Sequence, residues 1–235
     1  MRALLRAWRG ELLGLRLSVV IPALNAAGSL PGCLAALGDV DELILVDGGS
    51  SDGTVRIAEA AGARVVIAPK GSGVQLRAGG EAARGDWLLF LHADTRLASD
   101  WRSHVVRHIE GPRAGPACFR LRLDDPAWQA RLIERGVALR TRLLSLPYGD
   151  QGLLLAAELY RRIGGYRPMP LMEDVDFVRR LPRVRMLGAD ALTSAERWRR
   201  DGWLRRSGRN LLCLGLFAAG ASPERIAGVY AGRRG

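Results

Sequence analysis

Four short apolar runs, LSVVIPA, ELILVD, ARVVIA and DWLLFLH, punctuate the first half of this 235-residue chain and constrain its fold more than any other feature. Each is rich in Val, Ile or Leu, and none alternates apolar with polar residues. That pattern belongs to strands covered on both faces, as in a parallel sheet. Helical stretches separate them. Ser29 starts one that runs through Cys33 to Leu37, with Pro31 in its first turn, where a missing N–H costs little. A second runs from Thr54 through Ala61 and stops at Gly62, and a third fills residues 74–83. Strand and helix alternate, so the expected fold class is α/β. Right-handed βαβ units would build three layers, α/β/α, about a mostly parallel central sheet.

The second half is less regular. ASDWRSHVVRHIE predicts a helix with Ser99 or Asp100 at its N-cap. ACFRLRL alternates apolar and basic residues, as a half-exposed strand would. A long helix is expected from Trp128 to about Leu144, followed by YGDQGLLL and a short helix ending at IGGY. LMEDVDFVRRL opens a further helix with acids in its first turn, where the helix dipole favours them. No repeat, low-complexity tract or interdomain linker interrupts the chain, which reads as a single domain.

Hydrophobic residues at 48% and charged residues at 25% exclude a disordered chain, and the length suffices to bury a core without staples. Cys33, Cys118 and Cys213 lie far apart with no CxxC pair, so they read as small buried residues in a reducing, cytoplasmic compartment. The formal charge of +11 comes almost wholly from arginine, Lys70 being the single lysine. A basic surface suits nucleic acid, anionic headgroups or phosphorylated substrates without choosing among them. The arginines are dispersed and no aromatic-plus-basic RNA motif appears, so nucleic acid is the weaker partner. The N-terminal MRALLRAWRGELLG has no uninterrupted apolar core or cleavage site, and no signal peptide is assigned. LLCLGLFAAGA, residues 211–221, is too short to span a bilayer but follows the basic RWRRDGWLRRSGRN. Two readings stay open there: a helix packed on the domain, or peripheral contact with the inner face of a membrane.

In doubly wound sheets, ligands bind beyond the carboxyl ends of the strands. Asn25, Asp47 and the pair His92 and Asp94 follow three of the four runs, and so gather polar groups on one edge. VDGGSSDGT, residues 46–54, is a tight turn into a helix whose glycines let backbone N–H groups approach an anion; it is equally readable as a plain βα turn with Asp52 capping the helix. It lacks the spacing of a dinucleotide fingerprint or a phosphate loop. Alternation along an extended backbone would aim His92 and Asp94 the same way. Asp94 suits a hard cation completed by substrate phosphates, and His92 a softer metal or a hydrogen bond; both also suit the polar end of a strand. In MEDVDF, repulsion among Glu173, Asp174 and Asp176 would raise one carboxyl toward the range of a general base, against the plainer reading of an acidic helix start. His104 and His108 have helical i, i+4 spacing without an HExxH, which favours a solvated helix face over a metal pair.

Together, the order VVIPALN, LVDGGSSDGT, LHAD, GDQG, GGYR and MED resembles the family 2 glycosyltransferases, over residues 17 to about 180. The compact form resembles a bacterial subgroup of arsenosugar-biosynthesis type. The family's Pro-x-x-Asn-Glu motif is matched at Pro22 to Asn25, with Ala26 in the acidic position. Its Val-Asp-Asp-Gly-Ser-x-Asp-Gly-Thr motif is matched with Gly48 replacing the second Asp. The resemblance implies the Rossmann-like GT-A fold. Residues 17–97 would form a nucleotide-sugar half, 98–190 an acceptor and catalytic half, and 191–235 basic and apolar C-terminal helices. It implies a nucleotide pocket at Pro22, Ala23, Asn25, Asp47 and Gly49, braced by Asp52, with Lys70, Gln75, Arg77 and Gly79 on the ribose or phosphate side. HAD is a variant of the family's Asp-x-Asp, implying that Asp94 holds a divalent metal, Mg2+ or Mn2+, with His92 toward the ribose. Asp174 would be the catalytic base supported by Glu173, and Asp150 and Gln151 would shape the acceptor pocket.

The activity so implied is metal-assisted, inverting transfer of a sugar from a nucleotide-diphosphate sugar to an acceptor hydroxyl on a small metabolite or lipid phosphate. A catalytically inactive nucleotide-sugar binder and a basic nucleic-acid-binding protein are the competing readings.

Overall fold

The computed structural model describes residues 14–231, so the N-terminal segment over which a signal peptide was considered lies largely outside the described residues. Strands β1 (Leu17–Ala23), β2 (Glu42–Asp47), β3 (Arg64–Ile67) and β4 (Trp87–Phe90) alternate with helices α1 (Leu30–Leu37), α2 (Thr54–Ala60) and α3 (Ser72–Ala82), as the apolar runs predicted. Then come β5 (Thr95–Leu97), α4 (Trp101–Glu110), β6 (Ala117–Leu123) and α5 (Trp128–Leu144). A 3-10 turn at Gly149–Gln151 leads into β7 (Leu153–Ala156), α6 (Ala157–Arg162), α7 (Glu173–Arg179) and β8 (Arg185–Thr193). Three helices end the chain: α8 (Glu196–Asp201), α9 (Trp203–Ala218) and α10 (Pro223–Ala231).

All eight strands form one sheet in the order β3-β2-β1-β4-β7-β6-β8-β5. The first four are mutually parallel, which places Ala23, Asp47 and Phe90 at one edge. β7 then runs antiparallel to β4 and β6, β6 and β8 are parallel, and β5 closes the far edge antiparallel to β8. Successive residues of β1 point to opposite faces, as a pleated strand requires. Val19 and Ile21 join a core with Leu30 and Leu37 of α1 and Trp101 and Val105 of α4. Val20 joins the other, with Leu76 of α3, Tyr160 of α6, Phe177 of α7 and Cys213 of α9. These are the three layers expected. Gly79 allows α3 to lie close on the sheet, because a Cβ there would sit 2.3 Å from Val20 Cγ1 and 2.8 Å from Val46 Cγ2. Gly79, which the resemblance assigned to the ribose side, is a point of close helix–sheet packing.

β6 lies between β7 and β8 and keeps the half-exposed alternation read from sequence, the Arg120 and Arg122 side chains being 43% and 38% exposed. Arg120 bonds Asp190, and Arg122 pairs with buried Glu134 at 2.8 Å. Ser29 and Asp100 both sit at N-caps, but neither side chain makes a capping bond. β5, β7 and β8 are short or interrupted in pattern and emerge only from their pairing. The C-terminal apolar run forms the end of α9, and no helix among the described residues is long and apolar enough to cross a membrane.

Candidate active site

The loops after β1 and β2 interlock at the shared strand edge. Asp47, buried at the end of β2, accepts the Gly49 and Ser50 N–H groups on Oδ2 at 2.9 Å each, while its Oδ1 is buried without a partner. An unmatched buried carboxylate oxygen is costly, and it is therefore a ready acceptor for a ligand donor. Asn25 adopts a left-handed backbone, with φ 50°, and accepts the Ser51 N–H at 2.9 Å. Asp52 accepts the Ala27 N–H at 3.0 Å and the Thr54 N–H at 3.0 Å, bracing the turn as expected of it. A hydrogen bond from the Thr54 hydroxyl, joined by these two N–H bonds, holds its carboxyl below the ordinary range.

Gln75 is buried, and its amide nitrogen donates to Ala23 O and Val46 O at 2.8 Å each. It ties α3 to the ends of β1 and β2 and lies against Gly48, where a Cβ would come within 3.1 Å of the amide. Gln75 thus holds the loop that the resemblance assigned it to share with the ribose. Pro22 and Ala23 pair with Val46 and Asp47 across the strands. Lys70 is exposed, and Arg77 is taken up by an ion pair with Glu81 at 2.8 Å.

His92 and Asp94 are brought together by a turn. β4 ends at Phe90, and the Thr95 N–H donates to His92 O at 3.1 Å, closing a turn over residues 92–95. The extended alternation used to pair the two side chains is therefore replaced by turn geometry, yet both face one cavity of about 310 Å³. That cavity is also lined by Asp150, Glu173 and Asp174. Five of the residues singled out from sequence thus converge, whereas Pro22, Ala23, Asn25, Asp47, Gly49, Asp52, Lys70, Gln75 and Arg77 lie outside its lining.

Of the acids in MEDVDF, Asp176 is committed to structure, paired with Arg167 at 2.8 Å and Arg180 at 2.9 Å. Asp174 is oriented by the Gly149 N–H at 3.1 Å and the Val175 N–H at 2.7 Å. Burial, reinforced by the Asp174 charge, pushes the Glu173 carboxyl above its ordinary range. Asp150 is raised chiefly by burial, opposed by Arg140 and His92, and its Oδ1 has no partner. Met172, just before this helix, is held at φ 67°, a left-handed conformation that a non-glycine residue adopts only under surrounding constraint. Gln151 corrects its placement in the acceptor pocket. It is fully buried, accepting Thr141 Oγ1 at 3.1 Å and donating to Phe119 O at 3.1 Å, and it does not reach the cavity.

The remaining wall was missed from sequence. Arg197, Trp198, Arg206, Asn210 and Tyr230 come from α8, α9 and α10. Arg206 lies 5.3 Å from the Trp198 ring centroid, donates to Tyr230 Oη at 3.1 Å, and pairs with Asp201 at 3.0 Å. The tryptophans within the arginine-rich stretch were the available signal, since interleaved aromatic and cationic side chains stack into a fixed surface.

Among the described residues, no three His, Cys, Asp or Glu side chains cluster to hold a cation by themselves. Asp94 with neighbouring His92 fits a site in which substrate phosphates supply the remaining ligands, as hard divalent ions commonly accept.

The family model for glycosyl transferase family 2 matches residues 18–168. The chain belongs to this family. A "PGL/p-HBAD biosynthesis glycosyltransferase" of Mycobacterium bovis is 42% identical over 92 residues, covering 34% of this chain and 36% of that protein. An "undecaprenyl-phosphate 4-deoxy-4-formamido-L-arabinose transferase" of Shewanella sediminis is 29% identical over 163 residues, covering 62% of this chain and 48% of that protein. The chain thus spans between a third and a half of these relatives. Among solved structures, glucosyl-3-phosphoglycerate synthase from Mycobacterium tuberculosis, in complex with Mn2+, UDP and phosphoglyceric acid, superimposes with a TM-score of 0.60 at 21% identity, covering 91% of this chain and 81% of that one. S. aureus TarS with UDP-GlcNAc gives 0.61 at 14% identity, covering 93% and 72%. These likenesses show the GT-A fold.

Proposed function

We propose that this glycosyltransferase moves a sugar, with inversion, from a nucleotide-diphosphate sugar to a hydroxyl of a small metabolite or a lipid phosphate. The observation that carries this reading is the placement of Asp174. Two backbone N–H groups fix its carboxylate at a cavity that also holds His92 and Asp94. Asp174 takes the proton from the acceptor hydroxyl as that oxygen bonds to the anomeric carbon. The bond from carbon to diphosphate oxygen breaks, and its electron pair leaves with the nucleoside diphosphate. Attack opposite the leaving group inverts the centre.

The unpartnered Asp47 Oδ1 supports nucleotide recognition beyond β2, because a ligand N–H or O–H would satisfy it. Mg2+ or Mn2+, held by Asp94 with His92 beside it, would neutralise diphosphate charge. Burial raises the Glu173 carboxyl above its ordinary range, which favours its neutral form beside Asp174. A lipid phosphate acceptor would place the enzyme at the inner face of a membrane, with the basic C-terminal region among the contacting surfaces. Thermal-shift measurements with UDP, GDP and dTDP sugars, each with and without Mn2+, test the donor site. Stabilisation by one nucleotide is expected, followed by turnover that Asp174→Asn removes. Absence of stabilisation by every nucleotide overturns the reading.

A further inference from the structure

Helix α5 is apolar on its outward side. Trp128, Leu132, Leu139 and Leu143 are 69%, 59%, 59% and 72% exposed. At 100° per residue they fall within an arc of about 60°, whereas buried Ala130, Glu134 and Thr141 occupy the opposite side. A surface helix in a globular protein normally shows the reverse arrangement. Arg135 and Arg142 flank the stripe on one side. The only acid of α5, Glu134, is buried and paired with Arg122 and Arg131 at 2.8 Å each. The outward face is therefore apolar and cationic with no anion.

At the C-terminal end of α5, Arg142 also enters a separate cleft of about 510 Å³. Four further arginines line it: Arg113, Arg120, Arg183 and Arg185. Arg120 is paired with Asp190, but among the described residues Arg113, Arg142, Arg183 and Arg185 have no carboxylate partner. Arg183 instead donates to the Arg142 backbone carbonyl at 3.5 Å. Unneutralised cations around one concavity attract phosphate oxygens. At its other end α5 packs through Ala130 and Ile133 on Trp198 and Trp203, beside which Leu204 is 85% exposed.

We propose that the α5 stripe and its adjoining arginine cleft form one docking face for an anionic phospholipid surface, the leucines and tryptophan entering the acyl boundary while the cleft takes headgroup phosphates. Charge complementarity selects this occupant. A second copy packed antiparallel on this stripe would bring the arginine flanks of both helices to the same side of the seam, and like charges facing across an interface are unfavourable. A neutral apolar partner would leave the arginines unmatched. In the C-terminal basic region much of the charge is neutralised, since Arg199 pairs with Asp125, and Arg200, Arg206 and Arg209 pair with Asp201.

The full chain is tested by co-sedimentation with vesicles containing phosphatidylglycerol or made of phosphatidylcholine alone. Binding to the anionic vesicles only, released by salt, is the expected result. Arg142→Gln and Arg185→Gln should each weaken partition about fivefold. Leu139→Ser with Leu143→Ser should weaken it by about tenfold or more without changing the melting temperature, since both positions are exposed. Equal binding to both vesicle types, binding indifferent to these substitutions, or no vesicle binding overturns the proposal. Binding of inorganic phosphate or pyrophosphate without vesicle binding, or self-association abolished by the leucine pair, overturns it in favour of a soluble anion site or an interface between copies. Nucleotide binding measured in parallel is unaffected by these variants, which keeps this outcome separate from the donor-site reading.

Discussion

The Gly149 backbone N–H donates to Asp174 Oδ2 at 3.1 Å, joining the turn after α5 to the first turn of α7 across the cavity. The same glycine lies under His92, where an added Cβ would meet Nε2 at 2.5 Å. One residue without a side chain therefore sets both the acid and the imidazole. Gly149→Ala is expected to push the ring aside and lower kcat by roughly tenfold or more, the usual consequence of an ångström-scale misplacement. Steady-state transfer rates, with melting temperature as a fold control, check it.

Asp174→Asn keeps the size of the side chain but removes the proton acceptor. The expected loss in kcat is about 10²- to 10⁴-fold, with nucleotide affinity nearly unchanged. Single-turnover rates beside calorimetric binding separate the two quantities. A large fall in affinity with kcat preserved would remove Asp174 from the role of base.

Asp94→Ala should abolish transfer and make nucleotide binding indifferent to Mn2+. His92→Asp, which supplies a second carboxylate at the turn, should preserve transfer. Chelation of divalent ions from the wild-type protein should reproduce the Asp94→Ala phenotype, and readdition should reverse it. Titrations with and without a chelator measure all three.

The left side of the sheet and the loops that follow it were legible because β1 to β4 are buried on both faces and so consist of unbroken apolar runs. Polar residues at their ends then marked one edge. The right side was only partly so: β6 showed its half-exposed alternation, with Arg120 and Arg122 paired to Asp190 and Glu134, but β5 and β8 emerge only from their strand pairing. Asp150 and its neighbour Gln151 were not separable in sequence, since the 3-10 turn sends one into the cavity and the other into the core. The C-terminal wall depends on α8 packing against α5 and on α9 and α10 sharing a core with α7, long-range contacts that local periodicity does not encode.

Asp150 provides a test through pH. Burial raises its folded carboxyl above the unfolded value, so the folded protein holds a proton that the unfolded chain releases. That contribution is fully present below the ordinary carboxylate range and is lost as pH rises through the folded value. Asp150→Asn should flatten the decline and raise stability at neutral pH. Thermal melts of both proteins between acid and neutral pH measure it.

Burial raises the Cys33 and Cys118 thiols from 9.0 to about 12. Both should resist alkylation in the native protein at pH 8, where the thiolate is the reactive form, and react once the chain is unfolded. Their stabilising contribution should fade from pH 9 upward as unfolded thiols ionise while native ones stay protonated. Thiol labelling with mass detection, native against denatured, reads the first effect, and alkaline melts the second.

Helices α8, α9 and α10 furnish one wall of the cavity but contribute no strand to the sheet. Replacements at Asp94 alter a turn that follows a central strand, whereas replacements at Arg197, Asn210 or Tyr230 reshape a wall without touching strand pairing. The shape of that side of the cavity is thus separable from the integrity of the sheet.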